Sequence, residues 1–234
     1  MIRARAFVLG VTTLILVACG AAATPTTARS RVTGLLPITR SSWCMTEGKA
    51  GPANAAHRIH VDEGAARGVV AGDHSRSAEL AFSYHGPSMV SAPLASGELR
   101  RQIGLKLRAR DSCNVVYVMW HLAPTQGIFV EVKNTPNATT HAQCGATGYA
   151  GVVPSSSAPA PRVERGAPHV LHAALSGLEL RVTADGQEVW RGRLPEATLS
   201  FDGPVGVRTD NGAFDVELRV PGGDHPGATC PPRP

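Results

Sequence analysis

Residues 180–192 read LRVTADGQEVWRG, and residues 201–220 read FDGPVGVRTDNGAFDVELRV. Leu180, Val182 and Ala184 alternate with Arg181 and Thr183, so one face of a strand is apolar and the other polar. Asp185-Gly186 follows, then the second arm Val189 to Arg193. Asp-Gly between alternating apolar runs is the strongest short-range hairpin signal. Further on, the pattern predicts strand residues Leu199 and Phe201, a turn at Asp202-Gly203-Pro204, and strand residues Val205 and Val207. A turn at Asp210-Asn211-Gly212 comes next, then a closing strand with Phe214, Val216, Leu218 and Val220. Strands this short, separated by Gly, Asp and Asn turns, specify an all-β fold: a two-sheet antiparallel β-sandwich or jelly roll.

The upstream sequence agrees. Ala78 to Tyr84 alternates with Leu80, Phe82 and Tyr84 on one face. In Gln102 to Arg110, Ile103, Leu105, Leu107 and Ala109 face one way, and Lys106, Arg108 and Arg110 the other. Val115 to Leu122 is apolar on both faces, as a central strand is. Ile128, Val130 and Val132 alternate with Phe129, Glu131 and Lys133, and Val170 to Leu175 precedes the first hairpin arm. Residues 92–101 hold at most a helical turn or two, and 153–162 read as a Pro/Ser loop. No repeat of 20–50 residues is present.

The hairpin and closing segments resemble the C-terminal strands of concanavalin A-like lectin/glucanase domains, including laminin-G-like members. The resemblance rests on the alternating strand 180–184, Asp185-Gly186, Val189-Trp190, the Gly203 to Arg208 segment and the strand 214–220. It implies two antiparallel sheets, the concave one often holding a carbohydrate site. It also raises calcium by analogy, but the chain lacks a clustered Asp/Asn loop, and no cofactor is expected. Trp190 reads as a core plug between the sheets, and Arg208 as facing solvent or an acidic neighbour.

The N-terminus reads as an address. Arg3 and Arg5 precede the apolar run Phe7 to Val17, which is about half of the roughly 20 residues a spanning helix needs. Leu16-Val17-Ala18-Cys19-Gly20 resembles the bacterial lipobox, whose Cys is diacylated and becomes the first mature residue. Two acyl chains give durable anchoring. The expected organisation is a signal peptide over 1–18, a lipid-anchored disordered tether over 19–40, a β-sandwich domain over 41–220 and a Gly/Pro-rich tail over 221–234. Gly20 in place of Asp favours the outer membrane. Of the 23 basic residues only Lys49, Lys106 and Lys133 are lysines, and this Arg bias with abundant Ala, Gly and Pro fits a GC-rich bacterial genome. A net charge of +5 spread along the chain is no nucleic-acid footprint.

Cys44, Cys113, Cys144 and Cys230 remain, an even number in an oxidising compartment. No CxxC spacing points to zinc. Three pairings are open. The favoured one joins Cys113 to Cys144 across neighbouring strand regions and Cys44 to Cys230 at the domain ends.

No catalytic constellation stands out. Asp215 and Glu217 share a strand face, but opposite the apolar row of the closing strand, where a solvated face is expected. Asp62 and Glu63 point apart. There is no Gly-x-Ser-x-Gly elbow. His57 and His60, three apart with no accompanying Glu or Cys motif, give no metal expectation. The best binding candidates are Lys106, Arg108, Arg110, Tyr117, His121, Glu131 and Lys133, because sugar recognition needs aromatic faces beside charged hydrogen-bonding groups. The basic residues favour an acidic glycan. The expected role is a non-catalytic envelope lipoprotein binding carbohydrate or another envelope component. A glycoside hydrolase of the same fold and a structural lipoprotein binding protein are the alternatives, and oligomeric state is left open.

Overall fold

The computed structural model describes residues 34–230. The signal peptide and the lipobox Cys19 lie outside the described residues. In chain order the elements are β1 (Leu35–Pro37), β2 (Trp43–Glu47), β3 (Gly51–Pro52), β4 (Ile59–Val70), β5 (Ser77–Pro87), β6 (Arg101–Leu107), β7 (Asn114–Ala123) and β8 (Gly127–Asn134). Then come α1 (His141–Cys144), β9 (Tyr149–Gly151), β10 (Ser156–Ser157), β11 (Pro168–Ser176), β12 (Glu179–Ala184), β13 (Gln187–Arg193) and β14 (Gly206–Pro221). No helix among the described residues is long and apolar enough to cross a membrane.

Two long strands, β4 and β14, run through both sheets. Residues 206–210 of β14 lie between β4 and β6, and the ladder continues through β7 and β8 to β9. Past Asn211, β14 lies between β4 and β5, and the second sheet continues through β11, β12 and β13 to β10. All these pairings are antiparallel, and the ladder is continuous through β4 and β14, which carry it from one face of a β-sandwich to the other.

Alternation builds the core between the sheets. Ile103, Leu105, Val118 and Trp120 from one sheet pack with Leu80, Phe82, Leu171 and Val182 from the other. Trp120 meets Phe82 edge-on at 5.6 Å between ring centres, a preferred aromatic geometry. Trp190 is buried in the same core. The Asp185-Gly186 hairpin forms as the sequence predicts, with both residues in the left-handed region (φ 49° and 84°), as this turn requires.

Four expectations change. Leu199 and Phe201, expected on a strand, instead fall in and just after a short 3-10 helix, Glu196–Ser200, which leaves Leu199 exposed and buries Phe201. The turn at Asp210-Asn211-Gly212 is instead the middle of one continuous strand. Before Asn211 the inward residues are odd-numbered (Val205, Val207), and after it they are even (Phe214, Val216, Leu218). A φ of 55° at Asn211 turns the strand over as it passes between sheets. Similarly, β6 ends at Leu107. Arg108 adopts φ 52° and turns the chain, so Ala109 packs on the far side of the sheet with Val115 and Tyr117. Finally, residues 35–40, expected in the tether, belong to the folded domain. Leu36 pairs with Val220, and Ile38 is fully buried.

Disulfides join Cys44 to Cys230 and Cys113 to Cys144. Asp224, in the expected tail, accepts hydrogen bonds from the Thr39 amide (2.8 Å) and the Ser42 hydroxyl (2.5 Å), which clasps the two ends of the domain together.

Candidate functional site

The outer face of the first sheet carries a groove of about 440 Å³. Its floor is set by strand register: Arg67 of β4 lies opposite Arg208 of β14, and Lys106 of β6 opposite Tyr117 of β7. Its walls are the loop 92–95, the start of α1 with Thr140 and His141, and Tyr149 of β9. A second depression of about 870 Å³ shares Thr46, Lys106, Ser112 and Thr140 with the first, so the two form one extended trough with Lys106 between them.

Directly opposed like charges destabilise a sheet, and Asp210 offsets this. Arg208 Nε donates to Asp210 Oδ2 at 2.8 Å, and Arg67 Nη2 sits 2.9 Å from Asp210 Oδ1. Gln102 also donates to this carboxylate, at 2.6 Å. Burial by itself would raise the Asp210 carboxyl, but the two guanidiniums and the Gln102 bond outweigh it and hold it below the ordinary carboxylate range. Asp210 is therefore a fixed anion, not a proton donor.

The aromatic part of the site is built on the same charges. The Arg208 guanidinium lies 4.9 Å from the centre of the Tyr117 ring, and its Nη1 donates to the Tyr149 hydroxyl at 3.3 Å. Tyr117 and Tyr149 stack with centres 6.0 Å apart and planes 21° apart. Lys133 sits beneath, its ammonium 4.8 Å from the Tyr149 ring centre and donating to the Gly145 carbonyl at 2.8 Å. Tyr117 is buried, which raises its phenol, while Tyr149 is 36% exposed at the groove wall.

Lys106 differs from its neighbours, since its ammonium forms neither a hydrogen bond nor an ion pair with the described residues. Burial pushes its ammonium down from 10.5 to about 7, and Arg67 and Arg208 push the same way. An amine that titrates near neutral pH beside two guanidiniums would be held in its charged form by an anion from outside.

The sequence-predicted residues divide. Lys106 and Tyr117 line the groove, and Lys133 supports Tyr149. His121 and Glu131 share the sheet face but not the groove lining. His121 stacks on Phe129 at 4.1 Å, and burial with the nearby Arg100 pushes its imidazole down to about 3. Arg108 leaves the row, because the left-handed turn swings its guanidinium to the Phe201 carbonyl (Nε to O, 2.9 Å). Arg110 bonds Asp111 at the rim of the second depression. Arg67, Tyr149, Asp210 and the loop 92–95 were missed. The Asp210-x-x turn signal pointed to a loop, and no local signal marks the others.

The loop is held by Asn211. The Ala92 amide donates to the Asn211 side-chain oxygen at 2.7 Å, and the Asn211 amide donates to the carbonyls of Ala92 (2.9 Å) and Arg100 (3.0 Å). Gly64 lies beneath, where a Cβ would fall 2.9 Å from Ala92.

No family model matches the chain, and no curated protein matches it. Solved structures do. The carbohydrate binding module CBM66 from Bacillus subtilis superposes with a TM-score of 0.52 at 10% identity, over 75% of this chain and 91% of that one. The carbohydrate recognition domain of Emp46p aligns at 9% identity over 76% and 87% of the two chains, with a TM-score of 0.47. The GH43 protein BlXynB from Bacillus licheniformis aligns at 12% identity over 77% of this chain and 37% of that one, also at 0.47. The CBM66 likeness establishes a shared lectin-like β-sandwich fold.

Proposed function

We propose that this protein is a non-catalytic, lipid-anchored lipoprotein of the cell envelope that binds an acidic glycan along the trough. One observation carries the reading: three cations, Arg67, Lys106 and Arg208, converge on a groove that also presents the Tyr149 ring. Asp210 neutralises part of that charge and the Lys106 ammonium has no partner among the described residues, so a carboxylate, sulfate or phosphate on a sugar would satisfy it. The ring supplies the apolar sugar face with a surface to pack on. The CBM66 neighbour is a carbohydrate binding module, which fits this use of the fold. The Leu16-Val17-Ala18-Cys19 motif supports the anchor.

The test is a glycan array followed by calorimetry, using the whole chain with Cys19→Ser to keep it soluble. A uronic-acid-containing oligosaccharide should bind at least tenfold tighter than its carboxyl-reduced counterpart, and Tyr149→Ala should weaken it about threefold to tenfold, in line with roughly 0.5–1.5 kcal/mol for specific aromatic packing. Equal affinity for the neutral form, or no glycan bound, refutes the reading. Separately, Cys19→Ser should release the protein from membranes in cells, and continued membrane retention refutes the anchor.

A further inference from the structure

The second sheet carries a different cluster on its outer face. His60 of β4 lies directly opposite Asp215 of β14. On the other side of β14 the β5 register slips between Ala213 and Phe214, and His85 is the extra residue. A bulge re-aims a side chain, and here the His85 ring meets the same carboxylate. His60 Nδ1 is 2.7 Å from Asp215 Oδ1, and His85 Nε2 is 3.1 Å from Asp215 Oδ2. One ligand atom from each of the three residues lies within 4.8 Å of the other two.

We propose that His60, His85 and Asp215 form a binding site for a late first-row divalent cation, Zn²⁺ or Cu²⁺. A tetrahedral ion with bonds of about 2.0–2.2 Å sets its ligand atoms about 3.3–3.5 Å apart, so small ring movements suffice. Two imidazoles with one carboxylate suit zinc, copper and nickel and disfavour calcium and magnesium, which take oxygen ligands. The ion would replace the His60 hydrogen bond and the His85 contact that now join the rings to the carboxylate. Neighbouring charges are already paired elsewhere: Glu217 with Arg58 and Arg219. Three protein ligands leave coordination positions open toward a depression of about 350 Å³ bordered by Pro52, Ala53 and Asn54. The site stands on the opposite face of the sandwich from the trough and does not depend on the glycan reading.

The test is calorimetric titration of the full-length protein with Zn²⁺, and with Cu²⁺ read by electron paramagnetic resonance. One ion should bind, and His60→Ala or His85→Ala should each weaken it at least tenfold. His74→Ala, an exposed histidine 3.9 Å from Asp202, should leave it unchanged. The Cu²⁺ spectrum of the unaltered protein should show coupling to two nitrogens, a readout that needs no variant to fold. No binding, unchanged affinity in the His60→Ala/His85→Ala double variant, loss on His74→Ala, or fewer than two nitrogen couplings would each overturn the assignment.

Discussion

Replacing Lys106 with Met should make the protein more stable while removing its affinity for an acidic ligand. Met keeps most of the aliphatic stem and drops the ammonium. In the folded state that ammonium titrates at about 7 instead of 10.5, because it is buried and flanked by Arg67 and Arg208. At about 1.4 kcal/mol per pH unit, the displacement costs the fold at most about 5 kcal/mol. The sign follows from proton counting. Between pH 7 and 10.5 the unfolded chain holds the Lys106 proton and the folded chain does not, so stability rises with pH across that window. Below pH 7 both states are protonated and the full cost stands. Lys106→Met should therefore exceed the parent by about 4 kcal/mol at pH 7, with the gap closing toward pH 10.5. Lys133, whose ammonium burial also pushes down, is present in both proteins and cancels. Urea unfolding followed by the fluorescence of buried Trp43, Trp120 and Trp190 at pH 7 and 9.5 measures the gap. A variant no more stable than the parent at pH 7, or a gap that does not shrink with pH, refutes the burial cost. The same titration predicts that an anionic ligand, by drawing the proton back, binds up to about tenfold more weakly per pH unit above 7.

Asp210→Asn leaves Arg67 and Arg208 opposed without their shared anion, and should cost about 3–5 kcal/mol by urea midpoint. Cys113→Ser with Cys144→Ser opens a loop of sequence separation 31, worth about 3.7 kcal/mol by chain entropy. It should also raise amide exchange across α1, the groove wall this bridge tethers. Gly64→Ala crowds Ala92, and should cost about 1–3 kcal/mol and raise proteolysis of the 88–100 loop more than that of β14. Trp120→Ala, at the centre of the inter-sheet packing, should cost about 3–5 kcal/mol in the same unfolding assay.

Much of the sandwich is legible locally, because a strand with one buried face writes a period of two into its own residues. Leu80 to Tyr84, Ile103 to Leu107 and the Asp185-Gly186 hairpin all carry that mark, and even cysteine count with strand proximity favours the disulfide pairing found. β4 is not legible. Its VDEGAARG run (61–68) is small and charged, because Gly64 must clear the 88–100 loop and Arg67 faces the groove. Asn211 reads as a turn because Asp-Asn-Gly suits left-handed backbone, and only the flanking ladders of β4, β5 and β6 convert that residue into a crossing between sheets. The candidate site was half visible: the alternation of β6 turns Lys106 away from the inter-sheet core, and Tyr117 is a hydroxyl-bearing ring in a largely apolar strand. Their partners Arg67, Tyr149, Arg208 and Asp210 come from strands far apart in the chain. Side-chain periodicity is a local property and determined which residues leave the core. Which of those then meet depends on register between distant strands, and that is decided only when the sheets assemble.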